Sequence, residues 1–319
     1  MIPSVMGLDT SNYRTSLALV SMEGKILLNL RELLPVPSGN RGLRQSDALY
    51  LHLKQIKYFV EKAESLFGEY APIAVCASVK PRDLPDSYMP VFEVGETIGR
   101  CFAAARGIPF FPSDHQSGHI MAAKKGTVLA CKDSFLAIHL SGGTTDLLEF
   151  KSGHLRTLGS SLDLYAGQLV DRTGVAMGCS FPAGPELEKL ARNGACKGRL
   201  PCSLENSDLS CHLSGAESQV QRWIQNEAYP PEDIAREVYD LLVRTVCRMV
   251  RAGARKTGLK DILIFGGIAS SELFREMLLV RLPRLDRSLC PVFGEPMLSG
   301  DNAVGTALIG LNQLKMSQA

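Results

Sequence analysis

The sequence predicts a duplicated α/β fold, two similar halves with a cleft between them. Three observations carry that expectation. A unit of strand, polar turn and strand occurs near the amino terminus and again near the middle of the chain. Each copy runs on into segments with helical spacing. The length of 319 residues suits about two domains. Hydrophobic residues at 45% and charged residues at 21% match a globular chain and exclude a disordered one, which could not offset its ordering entropy.

The first copy starts with the apolar run Val5-Met6-Gly7-Leu8, turns through Asp9-Thr10-Ser11-Asn12 and resumes at Ser16–Val20; Lys25–Leu28 suggests a third strand. From about Ser46 to Phe67, Leu49, Leu53, Ile56 and Phe59 recur at helical spacing. A buried strand follows at Ile73–Ala77, and Glu93–Arg106 is the next helix. The second copy is Phe135–Leu140, the turn Ser141-Gly142-Gly143-Thr144-Thr145, the return strand Asp146–Phe150 and a third strand over His154–Gly159. Helices are expected at about Asp163–Met177, Pro185–Asn193, Glu217–Asn226 and Pro231–Lys256, with Gly198–Ser214 irregular. Strand Asp261–Phe265 ends in Gly266-Gly267, a helix starts near Ser271, and the last helix covers about Asp301–Leu311. Gly305, Ala307 and Gly310 are small enough there for tight packing.

Charge and cysteine content narrow the setting. A net charge of +2, from 35 basic and 33 acidic residues, neither demands nor forbids a nucleic-acid partner. Nine cysteines, an odd number with no C-x-x-C pair, read as free thiols in a cytoplasmic protein. The segment Met1–Gly7 lacks a basic region and a long apolar stretch, so no secretory signal is expected. No apolar run reaches the roughly 18 residues needed to span a bilayer, so no membrane association is expected.

Several residues could carry chemistry. His115 and His119 sit four apart, and Ser113 with Gln116 fits a capping box that starts a helix at that point. On one helix face both imidazoles could reach one metal ion, or they are ordinary surface or cap histidines. The spacing is that of the zinc-protease pattern H-E-x-x-H. Gln116 holds the glutamate position, however, and an amide cannot act as a general base. Gly142-Gly143 and Gly266-Gly267 each close an apolar strand, either as tight turns or as backbone N–H cradles for phosphate. Asp171 shares its helix with Gly167 and Gly174, whose cost of about 1 kcal/mol each points to close approach by another helix or a ligand. Asp301 is either an N-cap or the third ligand that a two-histidine metal site lacks.

Taken in order, Gly7-Leu-Asp-Thr-Ser11, His115-x-x-Gly118-His119, Ser141-Gly-Gly-Thr-Thr145, Ala166-Gly-Gln-Leu-Val-Asp171, Pro182-Ala-Gly-Pro185, Leu213-Ser-Gly-Ala216, Gly266-Gly-Ile268 and Ser299-Gly-Asp-Asn302 closely resemble the TsaD family. These are the tRNA adenosine threonylcarbamoyltransferases, also known as glycoprotease-like proteins. The resemblance covers nearly the whole chain. It implies an actin/Hsp70-like ATPase (ASKHA) fold of duplicated ribonuclease-H-like halves around a central cleft. One half would be residues 1–130, completed by the C-terminal helix 301–319. The other would be residues 131–300 with a helical insertion. It further implies transfer of threonylcarbamoyl from threonylcarbamoyl-adenylate to the adenosine beside the tRNA anticodon. One divalent metal, iron or zinc, would be held by His115, His119 and Asp301. ATP, AMP or the adenylate would meet His139, Leu140, Ser141, Gly142, Gly143 and Asp171, with Gly184 and Glu188 at the ribose. Gly266 and Gly267 would complete that site, together with Ser271, which aligns with a family asparagine. tRNA and accessory proteins of the threonylcarbamoyl pathway would be the partners. Lys124, Lys125, Arg248, Arg251, Arg255 and Lys256 are candidate phosphate contacts or solvated helix faces.

The sequence also departs from the pattern. Tyr13 stands where the family carries an acidic catalytic residue, Ser271 replaces the asparagine, and Thr144 replaces a histidine. Pro81–Pro90 replaces the family's A-G-P-G segment. A metal triad kept beside an altered substrate surround suggests a divergent paralogue. It would be either a transferase, acting on tRNA or on another acceptor, or a nucleotide- and metal-binding partner with little catalysis.

Overall fold

The computed structural model describes residues 1–11, 14–35, 43–65, 68–300 and 302–318. They form two compact units, residues 1–123 with 300–319 and residues 124–299.

In the first unit the strands are β1 (Ile2–Ser11), β2 (Arg14–Ser21), β3 (Ile26–Leu33), β4 (Tyr70–Lys80) and β5 (Phe110–Asp114). They lie in the order β3-β2-β1-β4-β5. β1, β2 and β3 run antiparallel, whereas β4 and β5 are parallel to β1 and need crossover helices. Those helices are α1 (Gln45–Glu64) and α2 (Phe92–Arg106). The period-2 alternation of strands assigns the faces. Met6, Leu8, Leu17, Leu19, Val75 and Ala77 meet Ile56, Phe59, Val94 and Ala103 from α1 and α2. The other face takes α9 (Val304–Gln318); a Cβ at Gly310 would lie 2.6 Å from that of Cys76. α3 (His115–Lys124) leads from this unit into the next.

The second unit repeats the plan. Its strands are β6 (Ser134–Leu140), β7 (Thr145–Lys151), β8 (His154–Ser160), β11 (Asp261–Phe265) and β12 (Cys290–Phe293), in the order β12-β11-β6-β7-β8. β6, β7 and β8 are antiparallel neighbours, and β11 and β12 run parallel to β6. Reading β6 for β1 and β11 for β4 reproduces the first sheet strand for strand. Between β8 and β11 come α4 (Ala166–Ala176), α5 (Gly184–Asn193), a hairpin of β9 (Ser203–Glu205) and β10 (Ser210–His212), α6 (Ser214–Gln225) and the long α7 (Pro231–Thr257). α8 (Glu272–Leu285) follows β11. α7 starts with Pro231, Glu232 and Asp233 and ends with Arg255 and Lys256, acids and bases placed to suit the helix dipole. Its buried side, including Tyr239, Leu242, Val246 and Val250, joins Leu136, Ile138, Leu147 and Ile264 in one core.

Four expectations need correction. Gly198–Ser214 is not wholly irregular, because three-residue strands β9 and β10 pair within it. Asp9, Thr10 and Ser11 are not turn residues; they extend β1 to its end. On α1, Leu53 is 51% exposed and His52 is fully buried. The buried stripe runs Ala48, His52, Ile56, Phe59, Ala63; Ile56 and Phe59 are as expected, and only in the first turns do Ala48 and His52 replace Leu49 and Leu53, with Thr15 Oγ1 2.8 Å from His52 Nδ1. Ser113 belongs to β5, and Asp114 caps α3 instead, its Oδ1 accepting the Ser117 N–H at 2.9 Å.

Candidate functional site

In the first unit β5 runs straight into α3, so its last residue supplies the cap and the next turn carries the histidines. His119 Nε2 is 3.0 Å from His115 Nε2, and the rings meet in a T-shaped arrangement, 72° between planes and 4.3 Å between centroids. His115 Nδ1 is 2.7 Å from Asp9 Oδ2, and Asp9 is 1% exposed. The same oxygen accepts the Ser78 hydroxyl at 3.0 Å, and Oδ1 accepts the Ser11 N–H at 2.9 Å. Ser78 Oγ lies 3.2 Å from Thr306 Oγ1 on α9. The start of α9 packs against α3 at backbone distance, since a Cβ at Gly305 would fall 1.7 Å from Gly118 O.

Two imidazole nitrogens bound to one ion at about 2.0–2.1 Å stand roughly 3–3.4 Å apart. The Nε2 pair has that spacing. A carboxylate behind a ligating histidine fixes its tautomer, with the proton on Nδ1 and the lone pair on Nε2. The donor set therefore fits a divalent transition metal. Asp9 belongs to the first family motif but is not among the expected metal-site residues. The signal that could have exposed it is a carboxylate inside a run of apolar strand residues, which needs a partner when buried. Asp301 and Tyr13 lie outside the described residues.

In the second unit the two Gly-Gly segments close adjacent parallel strands, His139 pairing with Phe265. Gly266 has φ +102°, and a Cβ there would lie 2.3 Å from Leu140 O, so only glycine fits. Gly142 and Gly143 are exposed at the tip of their turn. The turn is held from below. Ser141 O accepts the Gly167 N–H at 3.0 Å, and Thr145 Oγ1 accepts the Ala166 N–H at 2.8 Å. A Cβ at Gly167 would meet Gly142 N at 2.6 Å, and one at Gly174 would meet the Ala183 Cβ at 2.4 Å. The chain itself therefore explains both glycines of α4. The first N–H groups of α4 are thus spent on holding the turn.

The other predicted residues divide by what they touch. His139 and Leu140 are buried; the His139 ring stacks on Phe265 at 4.5 Å, and Leu140 belongs to the core. Asp171 Oδ1 accepts the Ala183 N–H at 2.9 Å, and burial raises its carboxyl above the ordinary range despite that bond. Gly184 O accepts the Tyr239 hydroxyl at 3.3 Å. Glu188 Oε1 accepts the Leu273 N–H at 2.8 Å, and Ser271 Oγ accepts the Phe274 N–H at 3.1 Å as the cap of α8. Lys124 is not placed for phosphate; it is buried with its ammonium 5.0 Å from the Phe150 ring centre, and burial lowers its pKa.

Cys196, Glu237 and Asp240 also converge. Their carboxylates are already engaged: Glu237 accepts the Lys197 and Arg199 N–H groups, and Asp240 pairs with Arg244 and Arg281. Burial pushes the Cys196 thiol up to about 11. The cluster is a buried ion network, not a thiolate metal site.

Comparison with known proteins joins these geometries to a family. The model of TsaD, described as tRNA N6-adenosine threonylcarbamoyltransferase, matches residues 87–304. A protein of that name from Methanopyrus kandleri is 26% identical, over 96% of this chain and 86% of its own. One from Oenococcus oeni is 29% identical over 96% and 89%. A probable bifunctional tRNA threonylcarbamoyladenosine biosynthesis protein from Thermoplasma volcanium is 25% identical, with 50% of its length covered. Among solved structures, full-length HypF in a phosphate- and nucleotide-bound form superposes with a TM-score of 0.62 at 12% identity. The chain covers about half of that protein, 47%. A ROK family glucokinase from Streptomyces griseus gives 0.56 at 12% identity, over 97% of this chain and 99% of that one. With the duplicated sheets, these likenesses show an α/β fold of the actin/Hsp70-like ATPase type. No described helix is long and apolar enough to cross a membrane.

Proposed function

The chain belongs to the TsaD family of tRNA N6-adenosine threonylcarbamoyltransferases, and on that premise we propose that it transfers threonylcarbamoyl from threonylcarbamoyl-adenylate to the N6 amine of the adenosine beside a tRNA anticodon. The amine lone pair forms the new N–C bond, the amine proton is lost, and the mixed-anhydride C–O bond breaks as AMP leaves. An anticodon-loop adenine suits the role of acceptor because its base can be presented unstacked.

The observation that carries the reading is the His115–His119 pair, with Nε2 atoms 3.0 Å apart and Asp9 behind one ring. His115 and His119 would hold iron or zinc, with Asp301 as the third ligand. When bound, the metal supplies Lewis-acid polarisation of a donor oxygen. The chain's own contribution in the second unit is binding. The N–H groups of Gly142, Gly143 and Gly267 donate to phosphate oxygens of AMP, ATP or the adenylate, and Gly266 permits the turn. Asp171 accepts from the ribose or base, and Gly184, Glu188 and Ser271 border the ribose. His139 and Leu140 support the Ser141–Thr144 turn from within the core. The nine free thiols fit a cytoplasmic setting, and accessory proteins of the same pathway are the expected partners.

Incubating the purified chain with threonylcarbamoyl-adenylate and unmodified tRNA should yield the modified nucleoside by mass spectrometry. The Tyr13 departure favours a second reading, a nucleotide- and metal-binding paralogue with little catalysis. Absence of product with accessory proteins present, alongside retained AMP and metal binding, selects that second reading.

A further inference from the structure

The outer side of α7 carries Arg248, Arg251, Arg255 and Lys256, at helical steps of three, four and one. At about 1.5 Å per residue the first three span roughly 10.5 Å along one face. They line a groove of about 810 Å³, closed on its far side by Asn206, Ser207 and Asp208 of the β9–β10 turn. Asp208 is the one carboxylate among the lining residues, and it is 2.9 Å from Arg248. Among the described residues, Arg251, Arg255 and Lys256 have no carboxylate at ion-pairing distance, and Arg255 and Lys256 are exposed.

A second arginine-lined cavity in the same unit is in part neutralised by its own acids. There Arg192 meets Glu188, Glu272 and Glu276, and Arg281 meets Asp240. The α7 groove has no such balance. Its lining holds four Lys and Arg against one Asp, in a chain whose total is only +2. Arg251, Arg255 and Lys256, with no ion-pair partner among the described residues, place a positive field where a polyanion can replace the counterions.

The groove is also separate from the Gly-Gly turns. α7 packs Gly253 against Leu136 near the start of β6, a Cβ there lying 3.4 Å from the Leu136 side chain. α7 then ends just before β11 begins. The turns close the opposite ends of β6 and β11. A phosphate held at Arg255 therefore belongs to a different part of a ligand from one held at Gly142.

We propose that this groove docks the phosphodiester backbone of RNA at a segment remote from the reacting nucleotide. A face of roughly 10.5 Å is long enough to meet about two to three successive phosphates of one strand. The inference rests on tRNA being the acceptor. Ser207 and Asn206 line the same groove and offer polar groups beside the basic row. Sequence is not read here; backbone contacts position the RNA, and the chemistry takes place elsewhere.

The test is binding of unmodified tRNA to the full chain, measured by fluorescence anisotropy from about 50 to 200 mM salt. Arg251→Glu with Arg255→Glu and Lys256→Glu should weaken binding at least tenfold and lower the salt slope by about two to three. A glutamine version of the same triple, with thermal melting, guards against misfolding by charge reversal. Wild-type affinity and slope in a folded triple variant overturn the groove while leaving tRNA as acceptor intact. Failure of the wild-type chain to bind tRNA overturns both. A variant that binds tRNA normally but loses polyglutamate shows an acidic protein to be the occupant, and the proposal fails.

Discussion

Replacing Asp9 by asparagine should reduce metal affinity about 10–100-fold, or roughly 1.4–2.7 kcal/mol. The direction follows from counting donors. Oδ1 accepts the Ser11 N–H at 2.9 Å, and a backbone N–H can only donate. The asparagine oxygen must therefore stay at Oδ1, which puts its NH₂ at the position of Oδ2. That position faces His115 Nδ1 at 2.7 Å and Ser78 Oγ at 3.0 Å. An amide that donates to Nδ1 forces the imidazole proton onto Nε2. Nε2–H then points at His119 Nε2, 3.0 Å away, and has no lone pair for a metal. The shape of the site barely changes, so melting of the metal-free protein should stay near wild type while metal binding falls. Competition against a chromophoric chelator measures the affinity without any turnover. Equal affinity in Asp9→Asn and wild type, with the variant folded, would refute the tautomer argument and with it the two-histidine site.

Gly167→Ala gains helix propensity of about 1 kcal/mol. Its Cβ, however, lies 2.6 Å from Gly142 N, and such overpacking costs about 1–3 kcal/mol. The strain falls on the Ser141–Thr144 turn, so calorimetry should show AMP binding weakened about tenfold or more; normal affinity would separate the turn from the nucleotide. Asp171→Asn tests pH linkage. Burial raises the folded carboxyl, so its stabilising contribution is complete below the unfolded pKa of about 3.9 and disappears as pH rises through the folded value. The variant should therefore gain in melting temperature over wild type between pH 4 and 7, and a gap that stays flat with pH would argue against a half-buried, charge-penalised Asp171.

Much of the molecule was legible because hydrophobic period is local. β1, β2, β6, β7 and β11 are short apolar runs ended by polar or glycine turns, and α7 declares itself through Pro231, its terminal charges and Gly258. β5 and β12, at the sheet margins, gave no such signal: they are four or five residues long and each contains a proline. α1 kept Ile56 and Phe59 as expected but buries His52 in place of Leu53, and His52 has its partner in Thr15, a residue 37 positions away. Helical spacing alone put His115 and His119 on one face.

By itself, then, the sequence determined the repeated strand plan, the glycine turns and the spacing of the histidine pair, since each depends on neighbours within a few residues. Only the tertiary structure decided that Asp9 stands behind His115, that Lys124 is spent on two aromatic rings, and that Glu188 and Ser271 cap α8. It also separated Arg251 and Arg255 of α7, which have no carboxylate at ion-pairing distance among the described residues, from Arg192 and Arg281 of the neighbouring cavity, which do. Hydrogen bonds and ion pairs join residues tens to more than a hundred positions apart. Whether a polar side chain is a ligand, a cap or a free charge depends on what folding brings to it, and composition and periodicity carry no record of that.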